Sequence, residues 1–219
     1  MRTKAEIRCV IFDLDGVIVS TDEYHYQAWQ KLADEEGIYF DRQINQRLRG
    51  VSRMESLKIL LERATKNYGE AEQSAFAERK NAHYCELLKN ITPRDMLPGA
   101  MALLNALRAG RIKIAIGSSS KNTPGILSAI GLRWFFDAIS DGNNITKSKP
   151  DPEVFLKVAQ MLGLDPMHCL VVEDAAAGVE AAIAAGMRVL AVGFASSDPR
   201  ATMHAKDLSA VTADRILNA

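Results

Sequence analysis

Apolar residues follow two rhythms along this chain. Short apolar runs rich in β-branched side chains, interrupted only by Lys113, recur at 9–12, 112–116, 170–172 and 189–192, each ending in turn-forming residues. Runs of that length and composition predict strands buried on both faces. Between them apolar residues recur at helical spacing: Leu103, Leu104 and Leu107 before Gly110, Leu127 and Ile130 before Gly131, and Val179, Ala182 and Ile183 before Gly186. Asp151-Pro152 supplies a helix start for Val154, Phe155, Val158, Ala159 and Leu162, with Asp151 as N-cap and Pro152 in the first turn. Strands alternating with helices predict an α/β fold with a parallel sheet flanked by helices.

Residues 20–92 break this alternation. Trp29, Leu32 and Ala33 form one helical stripe closed by Gly37, and Ser52 with Glu55 reads as a capping box ahead of Leu57, Leu60, Leu61 and Ala64. A further helix is expected over 70–88. The chain therefore divides into an α/β core domain, 1–19 and 93–219, and an inserted all-helical cap domain, 20–92, placed as a lid.

Length and composition fit this division. The 219 residues are 47% hydrophobic and 25% charged, enough for one sizeable core and a small companion. Lys and Arg total 27 against 27 Asp and Glu, so no net positive field favours nucleic acid or an anionic membrane surface. A small polar ligand is the expected partner. Cys9, Cys85 and Cys169 are odd in number and lack a C-x-x-C pair, and are expected to be reduced core residues. The apolar run near the start spans only Cys9 to Phe12, too short for a signal peptide, and no run approaches the roughly 18 residues of a membrane span. A soluble, cytoplasmic monomer is expected.

In open α/β sheets ligands bind outside the carboxyl ends of the strands. The expected strands end in Asp13 and Asp15, in Ser118, Ser119 and Ser120, and in Glu173 and Asp174, and the turn before the Asp-Pro helix adds Lys149. Carboxylates converging from separate segments repel unless a cation lies among them, and an all-oxygen set suits magnesium. Lysine and a serine-rich turn opening a helix favour an anion beside it, as a phosphoryl group requires. No P-loop or dinucleotide fingerprint occurs, so a nucleotide is not implied.

Asp-Leu-Asp-Gly at 13–16, Ser118, Lys149-Pro150 and Glu173-Asp174, in this order and each at a strand end, resemble the four motifs of the haloacid dehalogenase superfamily of phosphotransferases. The resemblance covers the whole chain. It is closer to the superfamily's sugar-phosphate mutases, on Thr21, Glu23-Tyr24-His25 with Trp29, Leu48 to Arg53 with Ser56, Arg79-Lys80-Asn81, Ser118 to Asn122, and Ser148-Lys149-Pro150. Ala175-Ala176 and the segment from Ala195 onward depart from it.

The resemblance implies a Rossmann-like core beneath the helical cap. It implies Asp13 as a nucleophile forming an aspartyl phosphate and Asp15 as general acid/base, with Ser118 and Lys149 neutralising the transferring phosphoryl oxygens. Magnesium would be held by Asp13, the Asp15 carbonyl, Glu173 and Asp174. Arg53, Ser120, Lys121 and Asn122 would grip a second, non-reacting phosphate, with Trp29, Gly50, Val51, Ser52, Lys80 and Ser119 completing the substrate site. Thr21 and His25 would couple lid closure to Asp15. The implied reaction exchanges a phosphoryl group between the 1 and 6 positions of β-glucose through a bisphosphate that must turn end for end, which needs both grips. A magnesium-dependent sugar phosphatase and a non-catalytic sugar-phosphate sensor are the rivals. Taken singly, several residues have plainer readings: Ser52 as a helix cap, Trp29 as core, and Glu173-Asp174 as an acidic pair at a helix start.

Overall fold

The apolar runs form strands β1 (Cys9–Phe12), β2 (Lys113–Gly117), β4 (Cys169–Glu173) and β5 (Arg188–Ala191) in the computed structural model, which describes residues 5–218. Two shorter strands join them, β3 (Ala138–Ser140) and β6 (Met203–His204), neither expected from the sequence. At three and two residues they are too short to carry a periodicity. The sheet is parallel throughout, in the order β3-β2-β1-β4-β5-β6.

Alternate residues of β1 face opposite layers. Val10 and Phe12 pack with Leu103, Leu104 and Leu107 of α5 (Ala100–Ala109), Ile126 and Leu127 of α6 (Thr123–Ala129) and Ile216 of α9 (Ala213–Leu217). Cys9 and Ile11 pack with Val154, Phe155 and Val158 of α7 (Glu153–Leu162) and Val179 and Ala182 of α8 (Ala176–Ala184). A strand covered on both faces must be apolar at every position, hence the unbroken run. Cys9 and Cys169 are buried and free as expected; Cys85 is also free but only partly buried.

Between β1 and β2 the chain runs through α1 (Asp22–Glu36), α2 (Arg42–Gln46), α3 (Arg53–Leu61) and α4 (Glu70–Leu88). These helices enclose a core of their own, built from Trp29, Leu32, Leu57, Leu60 and Phe76 among others. Gly37, in the left-handed conformation, ends α1 where its stripe stops. No helix among the described residues is long and apolar enough to cross a membrane.

Three local expectations need correction. Pro152, not Asp151, is the residue before α7, although Asp151 still accepts the Glu153 amide at 3.0 Å. Ser52 caps α3 by accepting the Glu55 amide, but Glu55 turns to Lys58, so only half of the box forms. The serine turn does not open α6 directly: Ser118 accepts the Ser120 amide and Ser120 the Asn122 amide, chaining two side-chain turns before the helix begins at Thr123.

A cleft of carboxylates, lysines and a helical roof

β1 lies where the strand order reverses direction, with β2 and β3 on one side and β4 to β6 on the other. The crevice of such a sheet opens at that point. It is here a cleft of about 1230 Å³, with Asp13, Asp15, Ser118, Lys149 and Asp174 along its floor. The Asp13 amide donates to Val172 O at 3.0 Å, which continues the β1–β4 ladder one residue into the site. Lys149, reached through a cis bond to Pro150, places Nζ 2.5 Å from Asp13 Oδ1 and 2.5 Å from Glu173 Oε1. Burial opposes the Lys149 charge, but Asp13 and Glu173 outweigh it and hold the ammonium above its ordinary range.

Gly16 explains why the aspartate loop ends in glycine. A Cβ there would stand 2.0 Å from Asp174 Oδ2, at a φ of +82. Only glycine allows this approach. Asp13, Glu173 and Asp174 each bring a carboxylate oxygen within 4.8 Å of the others. Glu173 is fully buried; its Oε2 accepts the Asp174 and Ala175 amides at 2.9 and 3.0 Å. Burial and the neighbouring Glu173, Asp13 and Asp15 push the Asp174 carboxyl well above the carboxylate range. Lys149 pairs with Asp13 and Glu173, and no ion pair reaches Asp174 among the described residues. A buried, all-oxygen, anionic set with one unpaired member is a donor set that fits a hard divalent cation. Asp15 could add only its backbone carbonyl, because its carboxylate is engaged elsewhere.

That engagement runs into the helices above. Asp15 Oδ1 accepts the Thr21 amide at 2.5 Å, and Oδ2 stands 3.8 Å from His25 Nε2. His25 Nδ1 lies 2.8 Å from Lys80 Nζ. With Lys80 as donor, His25 Nδ1 accepts and its proton sits on Nε2, facing Asp15. Burial, then Lys80 and Arg53, pushes His25 well below the usual imidazole range, so it stays neutral. Desolvation also raises the Asp15 carboxyl to about 6.

Tyr84 was not anticipated. Its hydroxyl donates to Thr21 Oγ1 at 2.8 Å, and its ring stacks on His25 with centroids 4.0 Å apart. The available signal was its place four residues after Lys80, on the same helical face. Trp29 is 2% exposed, and its ring and that of Tyr84 flank Lys80 Nζ at 4.9 and 4.5 Å. The plainer reading of Trp29 therefore holds in part: it is core, with one ring face toward the lysine.

The remaining expected residues meet across the cleft. Ser119 Oγ donates to Gly50 O at 3.1 Å, and Asn122 Nδ2 donates to Asn81 Oδ1 at 3.0 Å. Val51, Ser52 and Arg53 line the roof, facing Ser120 and Lys121. Gly50 has φ +75, and a Cβ on it would lie 2.9 Å from Ala175 Cβ, so the roof comes down on the start of α8. Arg53 is partly buried and, among the described residues, makes no ion pair. Thr21 and Glu173 do not line the cleft; both are buried behind its wall.

A family profile described as haloacid dehalogenase-like hydrolase matches residues 7–186. The chain is 45% identical over 189 residues to a beta-phosphoglucomutase of Bacillus subtilis, covering 85% of this chain and 84% of that protein. It is 32% identical over 216 residues to a phosphorylated carbohydrates phosphatase of Thermotoga maritima, covering 97% of both. The crystal structure of a beta-phosphoglucomutase from Clostridium difficile superposes with a TM-score of 0.92 at 40% identity, over 97% of this chain and 96% of that one.

Proposed function

From membership of the haloacid dehalogenase-like hydrolase family, to which this enzyme belongs, we propose that it is a β-phosphoglucomutase interconverting β-D-glucose 1-phosphate and glucose 6-phosphate. The exchange runs through an aspartyl phosphate on Asp13 and β-glucose 1,6-bisphosphate. The observation that carries this reading is Arg53, a half-buried guanidinium without an ion pair among the described residues, in the roof of the cleft that has Asp13 on its floor. A guanidinium left free in a cleft suits a phosphate held bidentately. With Ser120, Lys121 and Asn122 it would grip the phosphate that is not reacting. A simple phosphatase acting on a sugar monophosphate has no use for a second grip. The 45% identity to a beta-phosphoglucomutase supports the same reading.

In the proposed cycle an Asp13 oxygen attacks phosphorus and the bond from phosphorus to the sugar oxygen breaks. Asp15, whose carboxyl burial raises to about 6, gives a proton to the leaving oxygen. In the reverse step the Asp15 carboxylate takes the proton of the sugar hydroxyl that attacks the aspartyl phosphate. Thr21 and neutral His25 hold the carboxylate in place, and Lys80 holds His25. Lys149 and Ser118 face the oxygens of the transferring group. Asp13, Glu173, Asp174 and the Asp15 carbonyl would hold magnesium, which when bound offsets charge on those oxygens. Residues 20–92 act as a cap that excludes water from a core formed by 1–19 and 93–219, of which 1–4 and 219 lie outside the described residues.

The second reading, a sugar phosphatase with the same Asp13 chemistry, is favoured by the 32% identity to a carbohydrate phosphatase along almost the whole chain. The two are separated by incubating the protein with magnesium, β-glucose 1-phosphate and a trace of the bisphosphate, and following glucose 6-phosphate and orthophosphate separately. Glucose 6-phosphate with little orthophosphate is the expected result. Orthophosphate as the main product establishes the phosphatase instead.

A further inference from the structure

Arg49 belongs to the segment between α2 and α3, one residue before Gly50. Its guanidinium carbon lies 3.6 Å from the ring centroid of Phe194, which stands in the single turn Gly193–Ala195 after β5. The contact thus joins the helical roof to the core at the rim of the cleft. Arg49 Nε and Nη2 donate to Asp22 Oδ1 and Oδ2 at 3.0 and 2.8 Å, a two-pronged grip that fixes the plane of the fork against the ring. Phe194 is 65% exposed, an uncommon setting for phenylalanine. Its turn packs directly on the acidic cluster, since a Cβ on Gly193 would lie 3.4 Å from Asp174 Cβ.

We infer that Arg49, oriented by Asp22 and seated on Phe194, is the latch that keeps the cap shut over Asp13 and so selects a sugar hydroxyl over water as phosphoryl acceptor. The inference rests on the reading of Asp13 as nucleophile. Its physical basis is strength matched to use. A cation over a ring at a partly exposed rim is a weak contact that biases closure by a small factor without locking it. A buried ion pair in its place would oppose the opening that substrate entry needs.

The latch should govern the lifetime of the aspartyl phosphate when no sugar is present. Acetyl phosphate loads the enzyme: an Asp13 oxygen bonds phosphorus, the bond from phosphorus to the acetate oxygen breaks, and acetate leaves. Loss follows when a water oxygen bonds phosphorus, the bond from phosphorus to Asp13 breaks and orthophosphate departs, with the water proton passing to Asp15.

The test loads the full chain with radiolabelled acetyl phosphate and magnesium, removes the donor by rapid desalting, and follows the decay of protein-bound label. Phe194→Leu keeps apolar bulk but lacks the ring, and should shorten the lifetime about two- to fivefold. Phe194→Tyr should restore it. Arg49→Lys keeps charge without the flat fork and should fall between. Wild-type lifetimes in both Phe194→Leu and Arg49→Lys overturn the latch, as does equal shortening in Phe194→Leu and Phe194→Tyr, which would mark a packing effect. If wild type takes up no label, the Asp13 reading fails and the latch falls with it; normal labelling with unchanged lifetimes removes the latch alone.

Discussion

Lys149 in the floor and Lys80 in the roof are both fully buried lysines, 1% and 2% exposed, yet their environments drive them in opposite directions. Lys149 touches two carboxylates and is held charged above its ordinary range. Lys80 meets an imidazole nitrogen and two ring faces, and desolvation with Arg53 nearby pushes it well below that range. Burial is common to both. What differs is the charge brought by other segments, and it sets what each residue can do. A permanent cation suits neutralising a phosphoryl group. A lysine set against an imidazole nitrogen and two ring faces, with no carboxylate in contact among the described residues, suits fixing His25 with its proton on Nε2, toward Asp15.

The comparison can be broken at its centre. Asp13→Asn removes both the proposed nucleophile and one partner of Lys149, and turnover should fall by roughly 10⁴-fold or more in the glucose 6-phosphate assay. Retained activity would end the covalent reading. Lys149→Met leaves Asp13 and Glu173 buried without their cation and should cost about 3–5 kcal/mol in urea unfolding. Lys80→Met replaces a poorly compensated buried amine with an apolar chain of similar length. It should be near neutral or stabilising by about 1–4 kcal/mol while turnover drops. Equal destabilisation by the two substitutions would show that burial, and not the neighbouring charge, governs both lysines.

Smaller effects sharpen the roof side. Tyr84→Phe removes the hydroxyl that Thr21 accepts and should cost about 1 kcal/mol, read in the same unfolding experiment. The smallest signature is a pH slope. Lys80 binds its proton less readily folded than unfolded, where its value is near 10.5. Between the lowered folded value and 10.5 the unfolded chain carries the extra proton, so wild type loses stability as pH falls through that window. The melting temperature of Lys80→Met relative to wild type should therefore rise from pH 10 to pH 7, and a constant difference would refute the lowered value. Lys149, shifted upward, contributes no slope of its own over that range.

Much of the floor was legible because each piece is local. A β-branched run followed by Asp-Leu-Asp-Gly states both a buried strand and a turn in which glycine yields to Asp174, and Glu173-Asp174 ends a second such strand. The roof was legible only through resemblance, since His25, Arg53 and Lys80 follow no spacing that names a chemistry. Tyr84 escaped because its role depends on Thr21, 63 positions away in sequence. Phe194 escaped because nothing near it in sequence distinguishes a ring that meets Arg49 from an ordinary surface apolar residue. The edge strands β3 and β6 were missed because three and two residues hold no period.

The sequence by itself determined the alternating α/β core, the helical insertion and the carboxylates at the strand ends, because periodicity and turn chemistry act between residues a few positions apart. The tertiary structure alone decided which buried lysine stays charged, which carboxyl lacks a cation and which exposed ring meets Arg49. Those outcomes depend on charge and distance between segments far apart in the chain, and a Coulomb or stacking interaction exists only once the fold has brought its partners together.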